Sequence, residues 1–139
     1  MTYLVDTCVL SELTKDSAAP QVVGWFAEHR SDPMVISVIS VGEIAHGIEK
    51  CAPGKKRDAL SQWFETELLG WFAGRVVDID TETVRRWAVL RATGRTLPIL
   101  DSFIAASALV AGAVLVTRNT ADFAGISGLR VVNPWTVDK

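Results

Sequence analysis

Asp6, Glu43, Asp101 and Asp122 each stand where an apolar run stops or a helical pattern is under way. They share the chain with only two histidines, His29 and His46, and two cysteines, Cys8 and Cys51. Neither pair has the spacing of a zinc site or of a redox motif. Carboxylate oxygens without imidazole or thiolate partners suit a hard cation, Mg2+ or Mn2+. A cation so held activates water and stabilises charge on a phosphodiester. Acids this far apart in sequence act together only if the fold brings their elements to one edge.

Each acid also has a plainer reading. Asp6 ends the apolar run of "YLVD" and opens "DTCVLSEL", where an N-capping aspartate contributes about 1 kcal/mol. Glu43, in "SVISVGEIAHGIEK", projects away from the stripe of Val41, Ile44, Ala45 and Ile48 and shares a face with His46 and Lys50. A solvated glutamate does the same. Gly42 and Gly47 in that helix each cost about 1 kcal/mol relative to alanine, which points to a close approach to the backbone. Asp101 lies in the first turn of a helix that is apolar nearly all round, from Phe103 to Ala111. The helix dipole favours it there, yet Ser, Thr or Asn would cap as well, and a charge near an interior wants a cation. Asp122 follows "LVTRN", where an Asx-type turn would explain it. Thr117 and Asn119 add short hydrogen-bonding groups to the same edge. Cys8 reads as a small buried residue.

The elements follow from periodicity. Residues 2–6, 34–37, 75–79, 113–117 and 129–133 read as strands. Helices are predicted over 7–14, from Pro20 through Phe26, from Ser37 or Ser40 to about Lys50, from Asp80 or Thr81 to about Arg95, and from Asp101 to Val110 with Gly112 as the stop. Leu60, Trp63, Phe64, Leu68, Trp71 and Phe72 mark a long amphipathic helix. Its aromatics read first as core packing and second as a groove wall. Strands separated by helices make an α/β fold with a parallel sheet covered on both faces. Ligands bind beyond the carboxyl ends of such strands. Asp6, Asp101 and Asp122 fall near that edge, with Glu43 on a helix beside it.

A chain of 139 residues is one domain, spanning 1–139. Its 49% hydrophobic content excludes disorder. The most apolar run, "FIAASALVAGAVLVT", falls short of the ~20 residues that span a bilayer. With no basic and apolar leader pattern before Asp6, a cytoplasmic protein with free thiols is expected. A net charge of −2 counts at first sight against a nucleic-acid partner. Setting four of the 16 acids aside for a cation leaves 12 against 14 Lys and Arg. The basic residues cluster in "KKR" (Lys55, Lys56, Arg57) and "RRWAVLRATGR" (Arg85, Arg86, Arg91, Arg95), as solvated helix faces or as phosphate contacts.

In this order, "YLVDTCVLSEL", "SVISVGEIAHGI", "LPILDSFIAASAL", "LVTRNTADF" and "LRVVNPW" resemble the motifs of PIN-domain ribonucleases. More closely they are similar to VapC toxins of bacterial toxin–antitoxin pairs, including their FitB-like branch, over about residues 2–135. The resemblance implies a three-layer α/β/α sandwich around a central five-stranded parallel sheet. It implies that Asp6, Glu43, Asp101 and Asp122 hold one or two Mg2+ or Mn2+ ions, with Thr7, Thr117 and Asn119 orienting the pocket by hydrogen bonds. Asn119 departs from PIN proteins that carry an acid there, so one ion and two remain alternatives. The activity implied is endoribonuclease hydrolysis by metal-activated water, leaving a 5′-phosphate and a 3′-hydroxyl, on structured targets such as transfer or ribosomal RNA. The partners implied are a second copy of the chain, as a homodimer, and a VapB-like or FitA-like antitoxin that lays a helix against the toxin in a hetero-oligomer.

Two rivals have their own signatures. A haloacid-dehalogenase-type phosphohydrolase wants a second Asp two residues after Asp6, where Cys8 stands, and a Lys before the later acids; none lies between Lys56 and Lys139. A catalytically silent PIN-fold module acting with its antitoxin at DNA would keep the fold without needing all four acids.

Overall fold

A computed structural model describes residues 1–94 and 96–136. Five short strands, β1 (Tyr3–Val5), β2 (Met34–Ser37), β3 (Val76–Val77), β4 (Val114–Val116) and β5 (Val131–Val132), form one sheet in the order β3-β2-β1-β4-β5. Every pairing is parallel, with Leu4 opposite Val35 on one side and Leu115 on the other. The helices are α1 (Thr7–Glu12), α2 (Pro20–Glu28), α3 (Val38–Lys50), α4 (Lys55–Gln62), α5 (Leu69–Trp71), α6 (Thr81–Ala92), α7 (Ile99–Ala111) and α8 (Thr120–Phe123). A π-helical turn, Trp63–Leu68, joins α4 to α5.

Alternation along the central strands sorts side chains into two cores. Val5, Ile36 and Val116 point to one face and pack with Val9, Leu10, Val22, Trp25, Ile44 and Leu68. Leu4 and Leu115 point to the other and pack with Leu90, Ile104, Ala105, Ala108 and Phe123. Both faces being covered, these strands are apolar runs rather than apolar-polar alternations. This is the three-layer α/β/α arrangement with a five-stranded parallel sheet that the sequence motifs imply.

Several boundaries differ from the sequence reading, each for a local reason. Strand β2 keeps its expected bounds, while the other four are shorter at their ends, most of all β3 and β5, each of two residues. Helix α6 stops at Ala92, before Thr93 and a left-handed Gly94, so it does not run to Arg95, which lies outside the described residues. Helix α7 begins two residues before Asp101, because Pro98, with φ −54° and ψ 145°, serves as its N-cap and sets the first turn at Ile99. Ile99 and Leu100 are therefore exposed, while residues 104–108 are buried, so the helix is not buried throughout. The expected long aromatic helix is broken by the π turn. Phe64, Leu68 and Phe72 still reach the core, whereas Trp71 is 60% exposed and is not a core residue. Helix α8, absent from the sequence reading, is a four-residue turn too short to show a period.

At its end α7 closes on Gly112, whose φ of 64° is the left-handed conformation glycine adopts most readily. Ala113 N–H then bonds back to Ala108 at 2.9 Å and the chain enters β4. Leu115, fully buried on β4 between β1 and β5, is the sharpest probe of this packing. Leu115→Ala is expected to lower the unfolding free energy by about 3 kcal/mol, read by denaturant titration.

Candidate metal centre at the carboxyl edge of the sheet

The strand order reverses at β1: one half of the sheet runs β1-β2-β3, the other β1-β4-β5. The two chains leaving β1 and β4 therefore diverge and open a crevice beyond their carboxyl ends. Asp6 leaves β1 there and Thr117 leaves β4.

Asp6 is only 4% exposed, yet its carboxylate is supplied with donors. Oδ1 accepts from Thr7 N–H at 2.8 Å, so the residue caps α1 as the plain reading held. Oδ2 accepts from Thr117 Oγ1 at 2.8 Å, and the Cys8 thiol lies 3.8 Å from the same oxygen. The Thr117 hydroxyl in turn accepts from Asn119 N–H at 3.1 Å. Asn119 thus supports the site through its backbone, and its side chain makes no capping bond. Hydrogen bonds to a buried charge are each worth about 1.5–3 kcal/mol, enough to fix the Asp6 carboxylate in one orientation. Cys8 is half-buried rather than fully buried, and burial is the main cause that raises its thiol pKa. A thiol kept protonated is a poor metal ligand.

Glu43 reaches the same place from α3. Ser37 caps that helix by accepting from Ile39 N–H at 3.0 Å, and Ile44 and Ile48 anchor it to the sheet. Glu43 is half-buried, not a freely solvated side chain: its Oε1 accepts from Thr7 Oγ1 at 2.5 Å. Thr7 Oγ1 also lies 2.9 Å from Ser40 Oγ. Ser40 is fully buried one helical turn before Glu43. The sequence reading treated it only as a cap, although three residues before an acid is the position that shares its face. Thr7, by bonding both neighbours, joins the end of β1 to α3.

Asp101 comes from the first turn of α7 and is half-buried; Asp122 sits on α8 and is exposed. Burial, the nearby charge of Asp6, then those of Glu43 and Asp122 together push the Asp101 carboxyl up to about 6. The other three acids are therefore close enough to Asp101 to repel its charge. Among the described residues no Lys or Arg forms an ion pair with Asp6, Glu43 or Asp101. Nor, among those residues, is any trio of acid, imidazole or thiol groups already drawn together tightly enough to hold an ion. The donor set itself, all carboxylate and hydroxyl oxygen, fits Mg2+ or Mn2+.

From this edge a groove of about 950 Å³ begins at Thr7 and Glu43, passes Gly47 and Lys56, and ends at Trp63 and Trp71. An ideal Cβ on Gly42 or Gly47 would meet nothing within 4 Å, so the close approach to the backbone expected from these two glycines is not made by any of the described residues. Of the basic clusters, Arg57 is engaged by Glu49 and the Cys51 carbonyl, and Arg91 by the Leu97 carbonyl at 2.7 Å. Arg85 and Arg86 are exposed on α6. Among the described residues, no helix is long and apolar enough to cross a membrane.

A parallel sheet with acids gathered near its switch point defines an α/β fold with an acidic edge, and comparison with known proteins makes the family specific. The PIN domain family model matches residues 3–129. The plasmid stability protein StbB of Pseudomonas syringae pv. tomato is 36% identical over 136 residues, covering 95% of this chain and 97% of that protein. The VapC ribonuclease Y4jK of Sinorhizobium fredii is 33% identical over 136 residues, covering 95% and 96%. A solved structure of FitAB bound to an IR36 DNA fragment superposes with a TM-score of 0.89 at 28% identity, over 99% of this chain and 98% of that one. The chain belongs to the PIN-domain family, within its VapC and FitB toxin group.

The raised Asp101 pKa carries a stability consequence whose sign is fixed. The folded protein holds this proton more tightly than the unfolded chain, whose carboxyl titrates near 3.8. Stability is therefore lost as pH rises from about 4 through about 6, and the full repulsion acts above that. Asp101→Asn removes the charge. In metal-free protein at pH 7.5 it is expected to raise stability by about 1 kcal/mol, after allowing for solvent screening of a partly exposed group. Thermal melts from pH 7.5 down to pH 4 should show that advantage shrink to nothing; a constant difference across the range would remove the repulsion from the account.

Proposed function

We propose that this chain, acting as a single PIN domain over residues 1–139, is the toxin of a type II toxin–antitoxin pair and a Mg2+- or Mn2+-dependent endoribonuclease. The observation that carries the reading is the convergence at Asp101, where burial first and then the charges of Asp6, Glu43 and Asp122 push the carboxyl up to about 6, with no cation paired to it among the described residues. Asp6, Glu43, Asp101 and Asp122 would hold the ion. Such an ion would supply water activation and charge neutralisation at a phosphodiester, and hydrolysis by that water would leave a 5′-phosphate and a 3′-hydroxyl. The chain's own part is positional. Thr117 fixes Asp6, with the Asn119 backbone behind it; Thr7 fixes Glu43, with Ser40 behind it. Asp101 projects from the first turn of α7, where the dipole lowers the cost of its charge.

The relatives support the rest of the reading. One is named a VapC ribonuclease, and the FitAB structure supports an antitoxin partner in a hetero-oligomer. The groove from Glu43 to Trp63 and Trp71 offers an antitoxin helix an apolar bed that ends at the acids. Exposed Ile99 and Leu100, beside Asp101, suit a homodimer in the cytoplasm. Transfer or ribosomal RNA is the target class.

The FitAB structure on DNA also favours a second reading, a catalytically silent partner of an antitoxin at its operator. One experiment separates the two. Purified toxin, freed of antitoxin, is incubated with total RNA and Mg2+ or Mn2+, with EDTA and Asp101→Asn as controls. Discrete fragments bearing 5′-phosphates, at least 100-fold fewer in both controls, are expected. Cyclic phosphate ends would overturn the mechanism. No cleavage by folded, Mn2+-binding protein, with operator binding intact in Asp101→Asn, would favour the silent module.

A further inference from the structure

Arg118 follows Thr117 at the same sheet edge and is exposed, and the basic clusters of the sequence do not include it. Its backbone is pinned on both sides. Its N–H is directed to the Cys8 thiol, and its carbonyl accepts from Asn133 Nδ2 at 3.4 Å. Asn133 Oδ1 also accepts from Trp135 N–H at 2.8 Å, so one side chain ties the exit of β4 to the turn that carries Trp135. The Arg118 guanidinium lies 4.7 Å from the centre of the Trp135 ring. Such stacking orders the cation while leaving its N–H edges available.

Among the described residues, Asp6, Glu43 and Asp101 form no ion pair with this charge. Arg118 acts on Glu12 only weakly, as the least of the causes that lower its pKa. Glu12 is satisfied first by Lys15 at 2.9 Å and by Ala19 N–H at 2.8 Å. A rigid cation, one residue from the hydroxyl that holds Asp6 and on an edge crowded with negative charge, suits a ligand that is itself anionic and must approach those acids.

We infer that Arg118, seated on Trp135, binds a phosphate of the RNA strand next to the one being cut, and so sets where the strand lies across the acidic edge. This inference rests on the endoribonuclease reading above. Arg118 supplies two parallel N–H donors to the phosphate oxygens, and Trp135 acts through Arg118 as a positioning residue.

The test uses the full-length toxin, freed of antitoxin, and a short labelled single-stranded RNA. Binding is followed by anisotropy in Ca2+ over a salt series, and cleavage is followed in Mn2+. Arg118→Ala is expected to weaken RNA binding about tenfold and to flatten the slope of log affinity against log salt by about 0.7. It should raise the half-saturating RNA concentration, leave the maximal cleavage rate within about threefold, and leave Mn2+ affinity unchanged. Arg118→Lys should restore the salt slope but only part of the affinity. Trp135→Leu should weaken binding less than Arg118→Ala and leave the slope as in wild type. An unchanged slope and affinity in Arg118→Ala, with wild type binding RNA, overturns the inference alone. So does a parallel fall in Mn2+ affinity, which would make Arg118 a prop of the acidic site. Wild-type protein that neither binds nor cleaves RNA overturns the nuclease reading along with it.

Discussion

Four carboxylates on one edge of a sheet repel one another, and the rest of the molecule is arranged around that repulsion. Nothing local requires the charge. The N-cap of α1 would be served by Ser or Asn, and the first turn of α7 by any small polar residue. The cost is tolerated because three of the acids are held by something other than one another: Asp6 by Thr117 and the Thr7 N–H, Glu43 by the Thr7 hydroxyl, Asp101 by the start of a thirteen-residue helix. Strain at a site, offset by stability elsewhere, is the usual mark of function.

What offsets it is the pair of cores. The alternation of Leu4 and Val5, and of Leu115 and Val116, feeds apolar side chains to both faces, so strands of only three residues are locked in register. That register sends Asp6 and Thr117 out of adjacent parallel strands at the same height, where a 2.8 Å hydrogen bond can join them. Slipping β1 by one residue would turn Asp6 to the other face, and slipping β4 would do the same to Thr117. The apolar pattern and the polar site are therefore one constraint. The hydroxyls extend it sideways: Thr7 bonds Ser40 and Glu43 on α3, and Thr117 at the end of β4 bonds Asp6.

Much of this was legible in the residues. The alternation of apolar runs and helical periods fixed the α/β class, and the parallel sheet placed the acids at its carboxyl edge. Local chemistry was harder to read. Pro98 starts α7 two residues before Asp101, because a proline's φ is set whatever follows. The π turn at Trp63–Leu68 leaves no trace in a 3.6-residue pattern, and it is what leaves Trp71 on the surface. Asn119 looked like a side-chain contributor and acts through its N–H, while Ser40 looked like a cap and backs Thr7; each depends on contacts between distant segments. Arg118 was hidden because it stands alone in sequence, and only the fold brings Trp135 beneath it.

The account stands or falls on whether the four acids act as one receptor for a hard cation. Calorimetric titration of Mn2+ into antitoxin-free protein at pH 7.5, comparing wild type with Asp6→Asn and Thr117→Val, measures this without any RNA. The account predicts saturable binding in wild type, an affinity at least about tenfold lower in Asp6→Asn, and an intermediate loss in Thr117→Val, which touches the ion only through Asp6. Equal affinities in all three proteins, with folding unchanged, would contradict it.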